Sequence, residues 1–214
     1  MAAQIKSVAR TILETGGVNA ISLRATARVI GVTPAALYRY YPSLRALVDS
    51  LRNDILEELD VQLGLACRQT RGSADRLCPV ARAFRRWALD HPAEFWLALG
   101  PPADRYGAGH PGAELGAASS APGARIPEAI TAALVSSVGQ ERAPVPADSS
   151  APAGFAVTAA WARLYGLVAI EAAGYVSWPP AGADAFFEEQ LAELCSQLAG
   201  CSGPAGVPSW SVRQ

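Results

Sequence analysis

The sequence has 214 residues, of which half are hydrophobic and only 17% are charged. A chain of this length fits one large domain or two modest ones, and its apolar content excludes an intrinsically disordered protein. We find no apolar run of the roughly 18 to 20 residues that a bilayer crossing requires, and the N-terminus lacks the pattern of a secretory signal peptide. We therefore expect a soluble, cytoplasmic protein with no membrane partner.

The formal net charge of −1 conceals an uneven distribution. Residues 1–52 carry seven basic and two acidic side chains, a net charge of +5, whereas the other 162 residues carry 11 basic and 17 acidic ones, a net charge of −6. Neutralisation of phosphates supplies most of the non-specific affinity of proteins for nucleic acid. The first segment is therefore the candidate for nucleic-acid binding, and the remainder is not.

Apolar residues at helical spacing predict helices throughout the first 65 residues. The first helix ends at Gly16-Gly17, and the second begins after Ser22 and ends at Gly31. Ser22 has the side chain that caps a helix start, and glycine accepts the left-handed conformation that often follows a helix end. Ser43 caps a fourth, long helix that reaches about residue 65.

A short third helix lies between these elements. Thr33 is an N-cap candidate, Pro34 occupies the first helical position, and the helix continues to about Tyr41. Two short helices joined by a tight turn at Gly31 predict a helix-turn-helix, whose second helix enters the major groove of DNA. A plain helical hairpin is the alternative, but the clustering of arginine and tyrosine side chains in this stretch favours DNA binding.

The stretch SLRATARVIGVTPAALYRYYPS at residues 22–43 resembles the DNA-binding signature of the TetR family of bacterial repressors. Most of the resemblance lies in Leu37-Tyr38-x-Tyr40-Tyr41, which follows Gly31-Val32-Thr33, and it extends over about residues 3–60. One position departs from the pattern. Leu44 stands where the family usually has a lysine that contacts phosphate, and Arg45 is the substitute charge next to it.

The resemblance implies that eight residues meet DNA, some at base edges and others at phosphates. The base-edge set is Arg24, Thr33, Pro34 and Ala35, and the phosphate set is Tyr38, Arg39, Tyr40 and Arg45. Of the base-edge residues, Arg24 alone has the bidentate fork that reads guanine O6 and N7. One copy of the chain has few side chains that can read bases, which gives it little sequence specificity. We therefore expect a homodimer that reads a palindromic operator.

Five more helices are predicted beyond residue 66, which gives an all-α fold of about nine helices. Two lie between residues 78 and 99 on either side of His91-Pro92, one lies near 126–138, and two close the chain at 155–176 and 183–198. Gly, Pro, Ala and Ser dominate residues 100–125 and 143–154, which we interpret as loops.

These patterns predict three parts. Residues 1–52 form a DNA-binding domain, with the helix-turn-helix at 22–41 and a linking helix at 43–65. Residues 66–199 form a regulatory and dimerisation domain, and residues 200–214 form a flexible tail.

The two closing helices suit the dimerisation role that the TetR pattern implies. In that pattern, the last two long helices pack against their two-fold mates as a four-helix bundle. The apolar residues assigned to this interface are Leu164, Leu167, Val168, Leu191, Leu194 and Leu198.

A small-molecule effector is the expected partner of the second domain. The run Trp161-Ala-Arg-Leu-Tyr165-Gly166 resembles the Trp-x-x-Leu-His-Gly motif of one TetR subgroup, with tyrosine in place of histidine. Aromatic walls with a few polar groups favour a hydrophobic or aromatic ligand, although aromatics at helical spacing are also ordinary core residues. The candidate pocket residues are Trp87, Phe95, Trp96, Trp161, Tyr165 and Glu171.

No motif points to an enzyme, a metal site or a cofactor. The phosphate-binding glycine loop is absent, and His91 and His110 each precede a proline. The four cysteines, Cys67, Cys78, Cys195 and Cys201, include no C-x-x-C pair, so we expect ordinary thiols rather than disulfides or zinc ligands. The leading hypothesis is a ligand-responsive homodimeric DNA-binding transcriptional regulator, a repressor that a small hydrophobic or aromatic effector releases from a palindromic operator. The alternative is a DNA-binding regulator without a small-molecule ligand, constitutive or partner-controlled.

Overall fold

A computed structural model of the chain describes residues 1–68, 76–100, 127–137, 152–177, 179 and 182–200. Across these ranges every regular element is helical, which confirms the all-α prediction. There are nine α-helices here: α1 Ala2–Gly16, α2 Leu23–Ile30, α3 Pro34–Tyr38, α4 Leu44–Arg68, α5 Leu77–Asp90, α6 Pro92–Leu99, α7 Glu128–Ser137, α8 Pro152–Ala172 and α9 Gly182–Gly200.

Helix boundaries differ from the sequence predictions at a few places. Helix α3 ends at Tyr38 rather than near Tyr41, and a short 3₁₀ turn at Val18–Ala20 had no sequence signal. Helix α8 begins at Pro152, inside the stretch predicted as a loop. Residues 101–125 of the predicted loop at 100–125, most of the second loop and the predicted tail beyond residue 200 lie outside the described residues.

The chain divides into two compact units. The first comprises residues 1–59 and 90–125, and the second comprises residues 60–89 and 126–214. Helix α6 therefore belongs with α1, α2 and α3, although we assigned residues 66–199 to a separate domain. The boundaries at residues 52 and 66 remain predictions.

Capping interactions define the helices of the first unit. Helix α1 buries Ile5, Ala9 and Leu13 and ends where the Gly17 N–H donates to the Leu13 carbonyl at 2.8 Å. Gly17 has φ 73°, a conformation that side chains with a Cβ rarely adopt. The hydroxyl of Ser43 accepts from the Ala46 N–H at 3.1 Å and caps α4, as the sequence predicts.

Helices α7, α8 and α9 pack together in the second unit, and α5 is tied to α8 and α9 by ion pairs. Apolar side chains of all four helices form the core of this unit. Its fully or nearly fully buried members include Leu77, Val80, Ala81, Phe84, Ile130, Ala133, Leu134, Leu164, Val168, Phe187, Leu191, Leu194 and Leu198.

In the part of the chain that the structure describes, one helix is long and apolar enough to cross a membrane by length and composition alone. Residues Phe155–Ala172 of α8 form an 18-residue window with mean hydropathy 1.3. Arg163, near the middle of this window, bonds to Gln190, Glu193 and Gln197 of α9. These polar contacts, together with the buried core residues of α8, are those of a helix packed in a helical bundle.

Candidate nucleic-acid interface

The turn between α2 and α3 has the geometry that the sequence predicts. The Ser22 hydroxyl accepts from the Ala25 N–H at 3.0 Å at the start of α2. Gly31 ends the helix at φ 82°, and its N–H donates to the Ala27 carbonyl at 3.0 Å. Three residues later Pro34 opens α3. The glycine reverses the chain within a few residues, so the second helix starts directly after the first.

A small core beneath the turn fixes the two helices. Leu23, Ala27, Leu37 and Leu47 are buried. Thr26 is also buried, and its hydroxyl donates to the Ser22 carbonyl at 2.9 Å, so this polar group is satisfied. The two short helices therefore depend on the buried side of the motif for their position, which leaves the other side to face outward.

All eight residues assigned to DNA are exposed. Tyr38 and Tyr40 are 55% and 48% exposed, although both carry aromatic rings that usually prefer burial. Tyr41, in the same run, is only 8% exposed and belongs to the core. The remaining exposed members of the set are Arg24, Thr33, Pro34, Ala35, Arg39 and Arg45.

Thr33 differs in one respect from the sequence prediction. It occupies the N-cap position of α3, but its side chain makes no capping hydrogen bond. Its backbone carbonyl accepts from the Ala36 N–H at 3.0 Å instead. The exposed hydroxyl of Thr33 thus contributes to a surface rather than to the helix start.

Three of the seven basic side chains in residues 1–52 are partly buried and bond to other groups of the first unit. Lys6 forms an ion pair with Asp54, which raises the pKa of the lysine. Arg52 donates to the Ala98 carbonyl at 2.8 Å, at the end of α6. The third is Arg10. The other four, Arg24, Arg28, Arg39 and Arg45, are exposed on or beside the helix-turn-helix, where Arg45 also pairs with Asp49 at 3.6 Å.

Arg10 is the centre of an ion-pair cluster that no local sequence pattern indicates. Its Nε donates to Glu94 in α6 at 2.6 Å, and its two terminal nitrogens donate to Glu58 in α4 at 2.8 and 2.7 Å. These bonds lower the pKa of Glu58 below its ordinary value. Glu94 is 2% exposed, which makes it one of the few buried charged groups among the described residues. The cluster ties α6 and α4 to α1.

The candidate effector residues fall into two groups. Trp87, Trp161, Tyr165 and Glu171 belong to the second unit, whereas Phe95 and Trp96 belong to the first, where their rings pack edge to face at 5.0 Å. In the second unit, Trp161 contacts Tyr165 at 5.6 Å and Phe84 at 5.5 Å between ring centroids. Phe84 is not among the pocket residues predicted from the sequence.

Two members of the effector set have informative surroundings. Burial raises the pKa of the Tyr165 hydroxyl, so it is a neutral hydrogen-bonding group at ordinary pH. Both carboxylate oxygens of Glu171 accept from Arg85 at 2.6 Å, and Arg85 also bonds to Asp184. Because that pair already uses the carboxylate of Glu171, we leave Glu171 out of the effector proposal.

The residues assigned to the dimer interface are mostly internal. Leu164, Val168, Leu191, Leu194 and Leu198 are each 3% exposed or less within one protomer, and only Leu167 is partly exposed. The outward face of α8 instead carries Phe155, Ala159, Ala162 and Ile170, with the partly exposed Gly166 among them. The spacing of three or four residues places these side chains in one stripe along the helix.

Two family comparisons cover most of the chain. Residues 5–51 match the family described as bacterial regulatory proteins, tetR family. Residues 77–194 match the family described as tetracyclin repressor-like, C-terminal domain. Neither match decides the subgroup suggested by the Trp161-to-Gly166 run, which stays a prediction.

Among curated proteins, the chain is 34% identical over 106 residues to the HTH-type transcriptional regulators Rv1816 of Mycobacterium tuberculosis (strain ATCC 25618 / H37Rv) and Mb1846 of Mycobacterium bovis. The match covers 49% of this chain and 45% of each relative, so the chain spans about half the length of these relatives.

Solved structures resemble the whole fold. A candidate regulatory protein, SCO4313, has 26% identity and a TM-score of 0.61, with 90% of this chain and 94% of that chain covered. A TetR variant from Acinetobacter baumannii AYE, in complex with minocycline, has 19% identity and a TM-score of 0.57, covering 90% and 92% of the two chains. At 19% identity, the similarity to the Acinetobacter baumannii protein shows a shared fold and nothing more.

Proposed function

Because this chain belongs to the TetR family of transcriptional regulators, we propose that it is a homodimeric repressor that binds a palindromic operator and is released by a small hydrophobic or aromatic effector. The family consists of transcriptional regulators rather than enzymes. The observation that carries the proposal is the exposure of all eight candidate DNA contacts on a motif whose other side is buried.

The exposed side chains suit two kinds of DNA contact. Arg24, on the first turn of α2, has the guanidinium fork that reads guanine, and Thr33, Pro34 and Ala35 present small groups at the start of α3. Tyr38, Tyr40, Arg39 and Arg45 offer hydroxyls and charges that bind phosphate oxygens without reading sequence. Exposed positive charge therefore surrounds the groups proposed to read the bases.

DNA binding is tested with the purified full chain and DNA from the region upstream of its own gene. We expect a complex that is selective over a scrambled duplex of equal length and that weakens steeply with salt, because each neutralised phosphate adds about 0.9 to the slope of log K against log salt. Equal affinity for the operator and the scrambled duplex at every salt concentration would contradict the proposal.

The outward stripe of α8 supports the dimer. Phe155, Ala159, Ala162 and Ile170 are apolar and exposed in one protomer, and small residues allow two helices to approach closely. In α9, Ala185, Ala192 and Ala199 are likewise exposed. We infer that these surfaces, rather than the buried leucines, meet the second copy.

The matched variants for the dimer are Ala162→Glu in the stripe and Ala132→Glu at an exposed position of α7. We expect Ala162→Glu to shift the chain to monomers in sedimentation experiments at micromolar concentration, because it places a charge in an apolar interface. Ala132→Glu should stay dimeric. If both variants remain dimeric, the interface lies elsewhere.

The effector proposal depends on the aromatic contacts of Phe84, Trp87, Trp161 and Tyr165 in the second unit. The minocycline complex of the TetR variant supports it by analogy of fold. A thermal-shift screen of apolar aromatic compounds tests it, since a specific ligand at 100 times its Kd adds about 2.7 kcal/mol to the free energy of unfolding. A screen without any stabilising compound would favour the ligand-independent regulator.

A further inference from the structure

Cys78 and Cys195 lie opposite each other in the second unit. Their Sγ atoms are 3.1 Å apart, although 117 positions separate the two residues in the chain. Cys78 is on the first turn of α5 and Cys195 is on α9, and both side chains are partly exposed. Each thiol therefore points at the other and can be reached by a small reagent. The sequence spacing of the cysteines gave us no reason to expect this pair.

Ion pairs along the same seam maintain the alignment of the two helices. Arg82, one turn after Cys78, donates two hydrogen bonds of 2.7 Å to Glu188. One turn further, Arg85 bonds to Asp184 at 2.7 Å. Residue numbers rise along α5 as they fall along α9, so the helices run antiparallel. Cys78 and Cys195 form the next pair in this register.

The positive charge of Arg82 acts on both thiols. Its pKa is raised chiefly by the hydrogen bonds to Glu188, and the two sulfur atoms add smaller electrostatic contributions in the same direction. The thiolate is the reactive form of cysteine.

We propose that Cys78 and Cys195 are a redox modification site that a peroxide converts into an intramolecular disulfide between α5 and α9. One thiol gives up its proton, the thiolate attacks a peroxide oxygen and the O–O bond breaks, and the leaving hydroxide takes up the released proton, which gives a sulfenic acid and, for hydrogen peroxide, one water. The second thiolate attacks the sulfenic sulfur, and the hydroxyl group leaves as a second water. The two cysteines lose two electrons and two protons in total, and the peroxide is reduced.

The disulfide would hold α5 against α9. Helix α5 also carries Phe84 and Trp87, and Phe84 packs on Trp161 of α8. Oxidation thus restrains the helix that supplies half of the aromatic cluster. That regulatory meaning rests on the proposed function, whereas the thiol chemistry does not.

The test treats the fully reduced full-length protein with one to two equivalents of hydrogen peroxide and maps its peptides without reduction. We expect a linked peptide pair containing Cys78 and Cys195, with a loss of two hydrogen atoms per chain that a dithiol reagent reverses. The double variant Cys67→Ser, Cys201→Ser is the matched control and should retain the link. Cys78→Ser should abolish it.

Other products would overturn the proposal. These are sulfinic acid at either cysteine without a link, a link between Cys195 and Cys201, or a disulfide between two chains. Because the map of the wild-type protein alone distinguishes these products, the result does not depend on how the variants fold. It also requires no DNA, so failure of the redox site and failure of the proposed function are separate outcomes.

Discussion

Arg10 in α1 and Glu94 in α6 form a 2.6 Å ion pair across 84 positions of the chain, with the Glu94 side chain only 3% exposed. A buried carboxylate requires a cation and hydrogen bonds to offset its loss of hydration. Arg10 provides these to Glu94 and at the same time holds Glu58 on α4. The first unit therefore has a polar connection among three helices in addition to its apolar core.

Removing Arg10 should lower the free energy of unfolding more than removing Glu94 does. We expect Arg10→Met to lower the free energy of unfolding by about 3 kcal/mol, because it leaves the buried Glu94 carboxylate without its cation. Glu94→Leu should cost only about 1 kcal/mol, since Arg10 keeps its two bonds to Glu58. Urea unfolding measures both values. Equal losses for the two variants would show that burial of Glu94 does not decide the cost.

The pairing of Glu58 predicts a loss of stability in acid. The bonds from Arg10 lower the pKa of Glu58 below its ordinary value of 4.5 in the folded state. A carboxyl whose pKa is lower in the folded state contributes its full stability above the unfolded pKa and loses that contribution as pH falls through the folded pKa. The wild-type protein should therefore lose stability below about pH 4.5 more steeply than Glu58→Gln does.

Urea midpoints measured at intervals from neutral pH down to about pH 3 test this difference. The effect of this single group should be small, because Glu58 is 52% exposed and solvent screens its ion pair. If Glu58→Gln followed the wild-type curve of stability against pH over the whole acid range, the lowered pKa of Glu58 would be contradicted. Glu57→Gln, at an exposed neighbouring position, is the control for simple removal of a carboxylate.

Local signals predicted the helix-turn-helix because its determinants are close in sequence. Ser22, Gly31 and Pro34 specify a cap, a left-handed helix end and a helix start by their own conformational preferences. The pairs Arg10–Glu94 and Cys78–Cys195 depend on which helix faces move together when the chain packs. Periodicity identifies an apolar face but not its partner, so it could not predict these contacts.

The closing helices also show that sequence periodicity does not identify which face of a helix packs against which partner. Helix α8 is apolar on most sides, so the sequence could not tell which of its stripes forms the protomer core. The prediction assigns leucines such as Leu164 and Leu191 to the dimer interface, yet these leucines are buried within one protomer, and the exposed stripe of α8 carries Phe155, Ala159, Ala162 and Ile170 instead.

Two capping positions should respond differently to alanine. Ser22→Ala removes the 3.0 Å hydrogen bond to the Ala25 N–H and should cost about 1 kcal/mol of unfolding free energy. Thr33→Ala should change stability by less than about 0.5 kcal/mol, because its side chain makes no capping bond. Thermal and urea unfolding measure both. A large loss for Thr33→Ala would indicate that its hydroxyl supports α3 after all.

Two glycines offer a comparison of backbone conformation. Gly31 has φ 82°, and a Cβ there meets no atom within 4 Å, so Gly31→Ala should cost about 1 kcal/mol through backbone strain alone. Gly64 lies inside α4, where an added Cβ makes only an ordinary 3.7 Å contact with Arg68. Gly64→Ala should therefore raise the free energy of unfolding by about 0.5 to 1 kcal/mol. If Gly31→Ala and Gly64→Ala changed the free energy of unfolding in the same direction in urea, the comparison would be contradicted.

Arg24 and Arg28 form a matched pair for testing base recognition, because both are exposed arginines on α2. Arg24 is on the first turn, where the resemblance to TetR regulators implies contact with bases, and Arg28 is on the last turn. Arg24→Ala should lose about 1 to 3 kcal/mol of discrimination at one base pair of each half-site, whereas Arg28→Ala should weaken binding equally for all sequences. Tyr38→Phe should behave like Arg28→Ala, because a lost phosphate contact carries no sequence information.

Selection of bound duplexes from a library with every base of the operator varied separates these effects. The expected signature of Arg24→Ala is a relaxed preference at symmetric positions in the two half-sites, with the other positions unchanged. The salt slope should also fall by about 1 for each arginine that neutralises a phosphate. If Arg24→Ala lowered affinity for every duplex by the same factor, Arg24 would be a phosphate contact, and the reading of bases would rest with Thr33, Pro34 and Ala35.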